Sequence, residues 1–267
     1  TALYIKDAFG YDSEFINLNA HAALQMFESD FFGEDHYYML KNGLSQVIDK
    51  MKRAILSSNT ILKMNCPIKE INDTYIVTHK GDKFFYEHLI CAIPQVSLQK
   101  FDYFKDNQLI NSVQSNPLIR IYAKYPTKDL WFKNIKRTTT DNYIRQIIPI
   151  DYEKGLIMIS YTDDKNAEYW NAYHTLGDEY LIKALHKEIK DLFNIDPPDP
   201  DFISVHYWNE GFHVWNIGEN SNQVAKDILK PKKNKEVYVC GEAYSMKQGW
   251  MEGALDTCYS ILKMLPP

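Results

Sequence analysis

The segment from residue 237 to residue 255 places three of the chain's eleven glycines within thirteen residues, around one tryptophan. A strand-like run, VYVC, precedes Gly241, and a helix-like run begins after Gly249. The first N–H groups of a helix lack partners within the helix and carry partial positive charge, so this arrangement predicts a site that stabilises an anion. Gly249 and Gly253 would let a flat or bulky group approach the backbone closely, and Trp250 would stand beside that group.

Helices and short strands must position this segment. The last helix is predicted from an apolar stripe at residues 251, 254, 255, 258, 261, 262 and 265, and two prolines end it. A second amphipathic helix is predicted over 44–56 from apolar residues at helical spacing. Between 60 and 94 the sequence predicts a β-meander with a hairpin turn at 79–82. Its last run, HLICAIP, is typical of a strand that is buried on both faces.

The middle of the chain has the pattern of a second unit. The runs PLIRIYAKYP, YIRQIIPI and GLIMISYT predict three strands in antiparallel arrangement, and ISVHYWNEG predicts another strand. Residues 180–193 carry apolar side chains on one helical face, and the prolines that follow end this helix. A further helical pattern occupies 13–32. Together these patterns predict a mixed α/β (α+β) fold.

The C-terminal segment resembles the flavin-binding motif of the flavin-containing amine oxidases, which include monoamine and polyamine oxidases, L-amino-acid oxidases and tryptophan monooxygenases. The matching residues are Gly241-Glu242 after the strand and the run GWMEGA at 249–254. A weaker likeness covers most of the chain, because LKNGLSQVIDKM, NCPIKEI, HLICAIP and PLIRIYAKY each look like a segment of that family. The resemblance implies FAD as the cofactor.

The resemblance also implies which residues bind FAD. Ile68 would make adenine-side contacts through its backbone, and Glu242 would contact the ribityl–diphosphate part. The backbone N–H of Met251 would reach the flavin C2 carbonyl, where negative charge develops when the flavin accepts hydride equivalents. Gly241 and Gly249 would bring the strand end and the helix start against the cofactor.

A substrate site beside the flavin is implied as well. Trp250 would contact the flavin and form one wall of an aromatic cage around the substrate amine, with Phe212, His213 or Trp215 as candidates for the second wall. Members that bind flavin covalently have a cysteine at about Phe212, so the resemblance implies non-covalent FAD. Arg120 stands where the family often has a lysine near the flavin, and arginine differs in shape and reach. Trp250, Arg120 and His213 are therefore the candidate catalytic residues.

The resemblance divides the chain between two lobes, which are the C-terminal part of a FAD-binding lobe and a mixed-sheet substrate lobe with flanking helices. Residues 1–35 would be helices of the substrate lobe, and 36–94 would supply a helix and a β-meander to the FAD lobe. Residues 95–205 would form the substrate-binding domain, and 206–267 would return to the FAD lobe.

One expected motif does not occur. Members of the family begin with a βαβ unit whose GxGxxG loop cradles the pyrophosphate, and no GxG occurs in these 267 residues. We therefore expect the chain to be a piece of a longer enzyme, rather than a relative that has lost flavin binding.

The activity implied is FAD-dependent oxidation of an amine or L-amino acid to an imine, with release of peroxide. The expected partner is a small-molecule amine or amino acid. Two alternatives stay open: a non-catalytic binding or scaffold module of the same fold, and another flavin oxidase or desaturase of the superfamily. Trp250 disfavours the latter, because it fits an aromatic amine cage.

Composition and charge indicate which other partners are not expected. The net charge is −5 and no basic patch occurs, so nucleic acid is not expected as a partner. No run approaches the roughly 20 apolar residues of a membrane span. The four cysteines form no CxxC pair, which argues against a metal site and favours reduced thiols in a cytoplasmic setting. A homodimer is left open.

Overall fold

Three β-sheets and their flanking helices form the fold. The computed structural model describes residue 13, residues 18–32, residue 40, and residues 43–128 and 130–266. It contains a five-stranded sheet, a three-stranded sheet and a two-stranded sheet among the described residues. The mixed α/β fold class predicted from the sequence is confirmed.

The described helices are α1 (Ala20–Phe32), α2 (Ser45–Leu56), α3 (Gln95–Leu98), α4 (Asp164–Leu176), α5 (Asp178–Phe193), α6 (Ser221–Asp227) and α7 (Met251–Leu262). The described strands are β1 (Ile68–Ile71), β2 (Tyr75–Thr78), β3 (Lys83–Phe85), β4 (Leu89–Cys91), β5 (Val113–Lys124), β6 (Thr138–Thr139), β7 (Gln146–Asp151), β8 (Leu156–Asp163), β9 (Phe202–Trp215) and β10 (Val237–Val239).

The five-stranded sheet has the order β6-β7-β8-β5-β9, and each described pairing in it is antiparallel rather than mixed. One face packs on α4 and α5, because alternate residues of the long strands, such as Ile119 and Ile121, are fully buried against Trp170 and Leu185. The predicted strands and the helix α5 are confirmed. Helix α4 was not predicted, since its sequence DKNAEYWNAYHTL carries too few apolar residues to show helical periodicity.

Strands β4 and β10 form a parallel pair, with Val239 opposite Cys91. This pair belongs to a second hydrophobic cluster that also contains Trp215 and Tyr244. Residues between Leu98 and Ile110 also pack in this second cluster. The sequence analysis placed them in the substrate-binding domain. Ala22 of α1 packs against the same cluster, although residues 1–35 were expected in the substrate lobe.

Strands β1, β2 and β3 form the predicted meander, with antiparallel pairing and a turn in which Gly81 has φ +88°. HLICAIP does not continue it, because β4 pairs with β10 instead. Ile90 in the middle of β4 is 39% exposed, so within the described residues this strand is not buried on both faces.

Helix α7 turns only part of its predicted apolar stripe to the core. Its buried residues are Gly253, Thr257 and Ile261, spaced by four. The predicted stripe is correct for Ile261 and for Cys258 and Leu265, which pack beside it. Its members Met251, Leu255 and Leu262 are exposed. Within the described residues, no helix is long and apolar enough to cross a membrane.

Candidate active site

The strand end at Gly241 is fixed to helix α7 by one hydroxyl group. The Gly241 N–H donates to Thr257 Oγ1 over 3.0 Å, and the Thr257 hydroxyl lies 3.2 Å from the Gly241 carbonyl oxygen. Gly241 has φ +146°, which disfavours other residues, although a side chain there would meet nothing within 4 Å. The glycine therefore serves the backbone conformation and leaves open space beside it.

Glu242 connects three parts of the chain. It opens a short 3-10 helix, Glu242–Tyr244, and its Oε2 accepts the Gly249 N–H over 2.8 Å. Its Oε1 lies 2.5 Å from Nδ1 of His213, whose side chain is almost completely buried. The sequence singled out Glu242 and His213 separately and gave no signal for their contact, because they lie 29 positions apart.

The turn before α7 packs on strand β9. Gly249 has φ +79°, and a Cβ at this position would lie 3.8 Å from Phe212. Gly253 has a different reason to be glycine, because a Cβ there would lie 2.1 Å from Ser245 Oγ and 2.2 Å from the Lys247 carbonyl oxygen. The expectation that Gly253 admits a ligand is therefore wrong: the chain's own loop occupies that space.

Trp250 and Met251 stand at the exposed start of α7. Trp250 is the N-cap residue with extended backbone (φ −120°), and its side chain makes no capping hydrogen bond. It is 65% exposed and Met251 is 66% exposed. A helix start without a side-chain cap keeps N–H groups available to an outside acceptor, with the indole next to them.

Trp215 is not an accessible aromatic wall. It is 1% exposed and lies in the second hydrophobic cluster, where its ring centroid is 6.5 Å from that of Tyr244. Its backbone N–H donates to Gln248 Oε1 over 3.0 Å, which ties the loop before α7 to β9. Of the three candidates for the second wall, Phe212 is the one that is partly exposed, since His213 is also buried.

Arg120 lies on the five-stranded sheet, opposite Tyr161 on one neighbouring strand and His206 on the other. Its guanidinium carbon is 2.9 Å from the centre of the Tyr161 ring. Asn116, four residues earlier on β5, is the register partner of Phe212. At about 3.3 Å per residue, Arg120 is therefore about 13 Å along the strand from the Phe212 position.

A cavity of about 680 Å³ lies between the meander and β4. Ile68 lines it, together with Leu89, Ile90, Cys91 and other residues of mainly apolar type. Cys91 ends β4, and its carbonyl oxygen accepts the N–H of Cys240, the residue before Gly241. The cavity thus reaches the carboxyl end of the parallel strand pair, which is where α/β sheets commonly bind ligands.

Two cysteine thiols lie at the carboxyl end of the β4–β10 pair, and burial is the main cause of their raised pKa values. Burial raises the pKa of the Cys91 thiol to about 12 and that of Cys240 to about 11, so both are neutral thiols at ordinary pH. Among the described residues, no group of three His, Cys, Asp or Glu side chains is arranged to hold a metal ion.

Comparison with known proteins identifies the family. A family model described as flavin containing amine oxidoreductase matches residues 3–259. The chain belongs to this family. FAD is therefore the implied cofactor, in agreement with the prediction from the sequence, and the family supports a flavin oxidoreductase.

Relatives of this chain carry names that describe different activities. Protoporphyrinogen oxidase of Dictyostelium discoideum is 23% identical over 77% of the chain, and L-amino-acid oxidase 4 of Hebeloma cylindrosporum is 22% identical over 76%. A solved structure provisionally named protoporphyrinogen oxidase, from Exiguobacterium sp. 255-15, has 11% identity and a TM-score of 0.63 over 90% of the chain. That likeness supports the fold.

The chain spans about half the length of these relatives or less. It covers 47% of the Dictyostelium protein, 38% of the Hebeloma protein and 55% of the solved structure. The residues present nevertheless fit one side of a flavin, because the uncapped start of α7, the exposed Trp250 and the open space at Gly241 lie on consecutive segments.

Proposed function

We propose that this amine oxidoreductase oxidises an amine or an L-amino acid to an imine with non-covalently bound FAD and releases peroxide. The observation that carries the proposal is the exposed Trp250 at the uncapped start of α7, directly after Gly249, which packs against Phe212. When bound, FAD would accept hydride equivalents from the substrate and return them to oxygen.

The start of α7 supports the cofactor half of this proposal. The backbone N–H of Met251 would donate to the flavin C2 carbonyl, and the helix dipole would stabilise negative charge on that part of the ring. Gly241 would border the cofactor without a side chain in the way, and Ile68 would line the adenine side through the apolar cavity. Glu242 would hold the turn that carries these groups.

The aromatic side chains support the substrate half. Trp250 and Phe212 would flank the amine, orient its lone pair toward the flavin and exclude water from the reacting carbon. Arg120 would act from the neighbouring part of β5, where a carboxylate of an amino-acid substrate is the group that its guanidinium would recognise. Arg145 is unsuited to this role, because it is 3% exposed and donates to the Thr140 carbonyl oxygen.

The chain would supply one half of the FAD site. It contains no GxGxxG loop, so the pyrophosphate would be held by a dinucleotide-binding unit that this sequence does not include. The four cysteines are unpaired, which supports our proposal that the enzyme works in a reducing, cytoplasmic compartment.

The test is purification of the full gene product, followed by its absorbance spectrum and peroxide release with amines, polyamines and L-amino acids. We expect a flavin spectrum and peroxide formation with at least one of these substrate classes. A colourless protein that takes up no added FAD would reject the cofactor assignment and favour a non-catalytic module.

A second candidate is a flavin oxidase that acts on protoporphyrinogen. The names of the Dictyostelium relative and of the Exiguobacterium structure favour it. The same preparation separates the two candidates. The second candidate predicts that protoporphyrinogen is oxidised and that amines and amino acids give no peroxide.

A further inference from the structure

The imidazole of His213 occupies a buried position that the proposed chemistry does not explain. It is 2% exposed on β9, and its Nε2 has no hydrogen-bond partner among the described residues. A buried nitrogen without a partner costs stability, and a phenylalanine of similar size would avoid that cost. The contact of Nδ1 with Glu242, at 2.5 Å, is the interaction that accounts for an imidazole at this place.

The same carboxylate continues to the turn before α7. An ionised carboxylate only accepts hydrogen bonds, so Nδ1 of His213 carries the hydrogen and donates a hydrogen bond to Glu242 Oε1. The other oxygen accepts the Gly249 N–H over 2.8 Å. Because Gly249 directly precedes Trp250, two hydrogen bonds join strand β9 to the residue before the N-cap of α7.

We infer that His213 is a positioning residue, which holds Glu242 so that the Gly249–Trp250 turn keeps its place at the start of α7. In this role the imidazole would act through Glu242 and not on the reacting atoms, which we propose in place of the catalytic role expected from the sequence. The functional consequence rests on the proposed flavin site, whereas the hydrogen-bonded link itself is a property of this chain alone.

Three substitutions of His213 separate this role from ordinary packing. His213→Asn keeps an N–H donor near the position of Nδ1, His213→Gln moves the donor to the position of Nε2, and His213→Phe fills the space without a donor. A positioning role predicts that Asn behaves most like the wild type. A packing role predicts the reverse order, because Phe fills the buried space and Asn leaves a void.

The readout is amide hydrogen exchange of residues 245–250 in the full gene product, followed by mass spectrometry. We expect exchange there to rise by about tenfold in His213→Phe and His213→Gln, and by less than about threefold in His213→Asn. Exchange in β5 and β8 should not change. His174→Phe, on the exposed end of α4, is the matched control and should leave residues 245–250 unchanged.

Glu242→Ala tests the link from its solvent-facing side, should the His213 variants fail to fold. We expect the same increase at residues 245–250. Glu242→Gln should restore slow exchange, because its amide oxygen can accept the Gly249 N–H while its amide nitrogen donates to Nδ1 of the other imidazole tautomer. Unchanged exchange in Glu242→Ala, or wild-type exchange in His213→Phe with faster exchange in His213→Asn, would overturn the inference.

Kinetic measurements test whether the hydrogen-bonded link from His213 to the turn affects the flavin site. In flavin-loaded enzyme, His213→Phe should lower kcat by about tenfold or more and alter the visible flavin spectrum, while His213→Asn retains both. An unchanged kcat and spectrum in His213→Phe would reject the positioning role at the cofactor. If the wild type takes up no FAD, the proposed function fails, and the exchange order still decides whether His213 positions the turn.

Discussion

Replacing Gly253 with alanine tests the contact between the loop 245–247 and helix α7. The new Cβ would lie 2.2 Å from the Lys247 carbonyl oxygen, about 1.2 Å short of ordinary contact. A backbone oxygen cannot rotate away as a side-chain end can, so the loop itself has to move. The Ser245 hydroxyl, 2.1 Å from the same position, must move as well.

Two effects of opposite sign determine how far Gly253→Ala changes the free energy of unfolding. Overpacking of a close contact costs about 1–3 kcal/mol, and two severe contacts put Gly253→Ala near the upper end. Alanine gains about 1 kcal/mol over glycine within a helix. We therefore expect a net loss of about 2 kcal/mol in the free energy of unfolding.

The assay is denaturant unfolding of the full gene product, with Leu255→Ala on the exposed face of α7 as the control. Leu255 is exposed, so its substitution should change the stability by no more than about 0.5 kcal/mol. A Gly253→Ala protein that is as stable as the wild type, or more stable, would show that the loop does not pass over the helix as described.

The remaining predictions concern the site and its surroundings. Trp250→Ala should lower kcat/KM by about a hundredfold with little loss of bound flavin, measured as turnover per flavin, and Tyr180→Ala on the exposed face of α5 should have no such effect. Lost flavin with unchanged turnover per remaining flavin would contradict the cage role. Arg120→Gln should raise KM for amino acids but not for amines without a carboxylate; an equal rise for both would argue against carboxylate recognition. Because burial raises the pKa of Cys240 from 9.0 to about 11, the folded state binds the proton more tightly, so its contribution to stability is complete below pH 9 and declines as the pH rises toward 11. Cys240→Ala should flatten that decline in unfolding curves measured between pH 8 and 11.

Local pattern predicted the long strands well. The second half of β5, from Ile119 to Lys124, alternates buried side chains with more exposed ones, and β8 does so only up to Ile159. Their runs of apolar residues were sufficient to predict both strands. Helix α4 was missed because its buried residues are Asn166, Ala167 and Trp170, of which two are apolar. Two residues give too little periodicity to predict a helix.

The orientation of α7 and the role of Trp215 show what local pattern cannot supply. Apolar residues on α7 predicted its buried face, but the passing loop selects the face with small residues at Gly253 and Thr257. The contact of His213 with Glu242 likewise depends on how β9 packs on the segment after β10, which no spacing within either segment encodes. Site residues were nominated by resemblance, and their contacts came from tertiary packing.

The parallel pair of β4 and β10 has a consequence for how the chain folds. These three-residue strands are separated by about 145 residues, which include the whole five-stranded sheet. Closing a loop of that length costs about 4 kcal/mol of length-dependent entropy in a flexible chain, whereas the antiparallel pairs β7–β8 and β1–β2 close through short connections. The inserted sheet can form early and shorten the effective loop. We therefore expect the edge that carries Gly241 to assemble last, so that cofactor binding there recovers later than secondary structure during refolding.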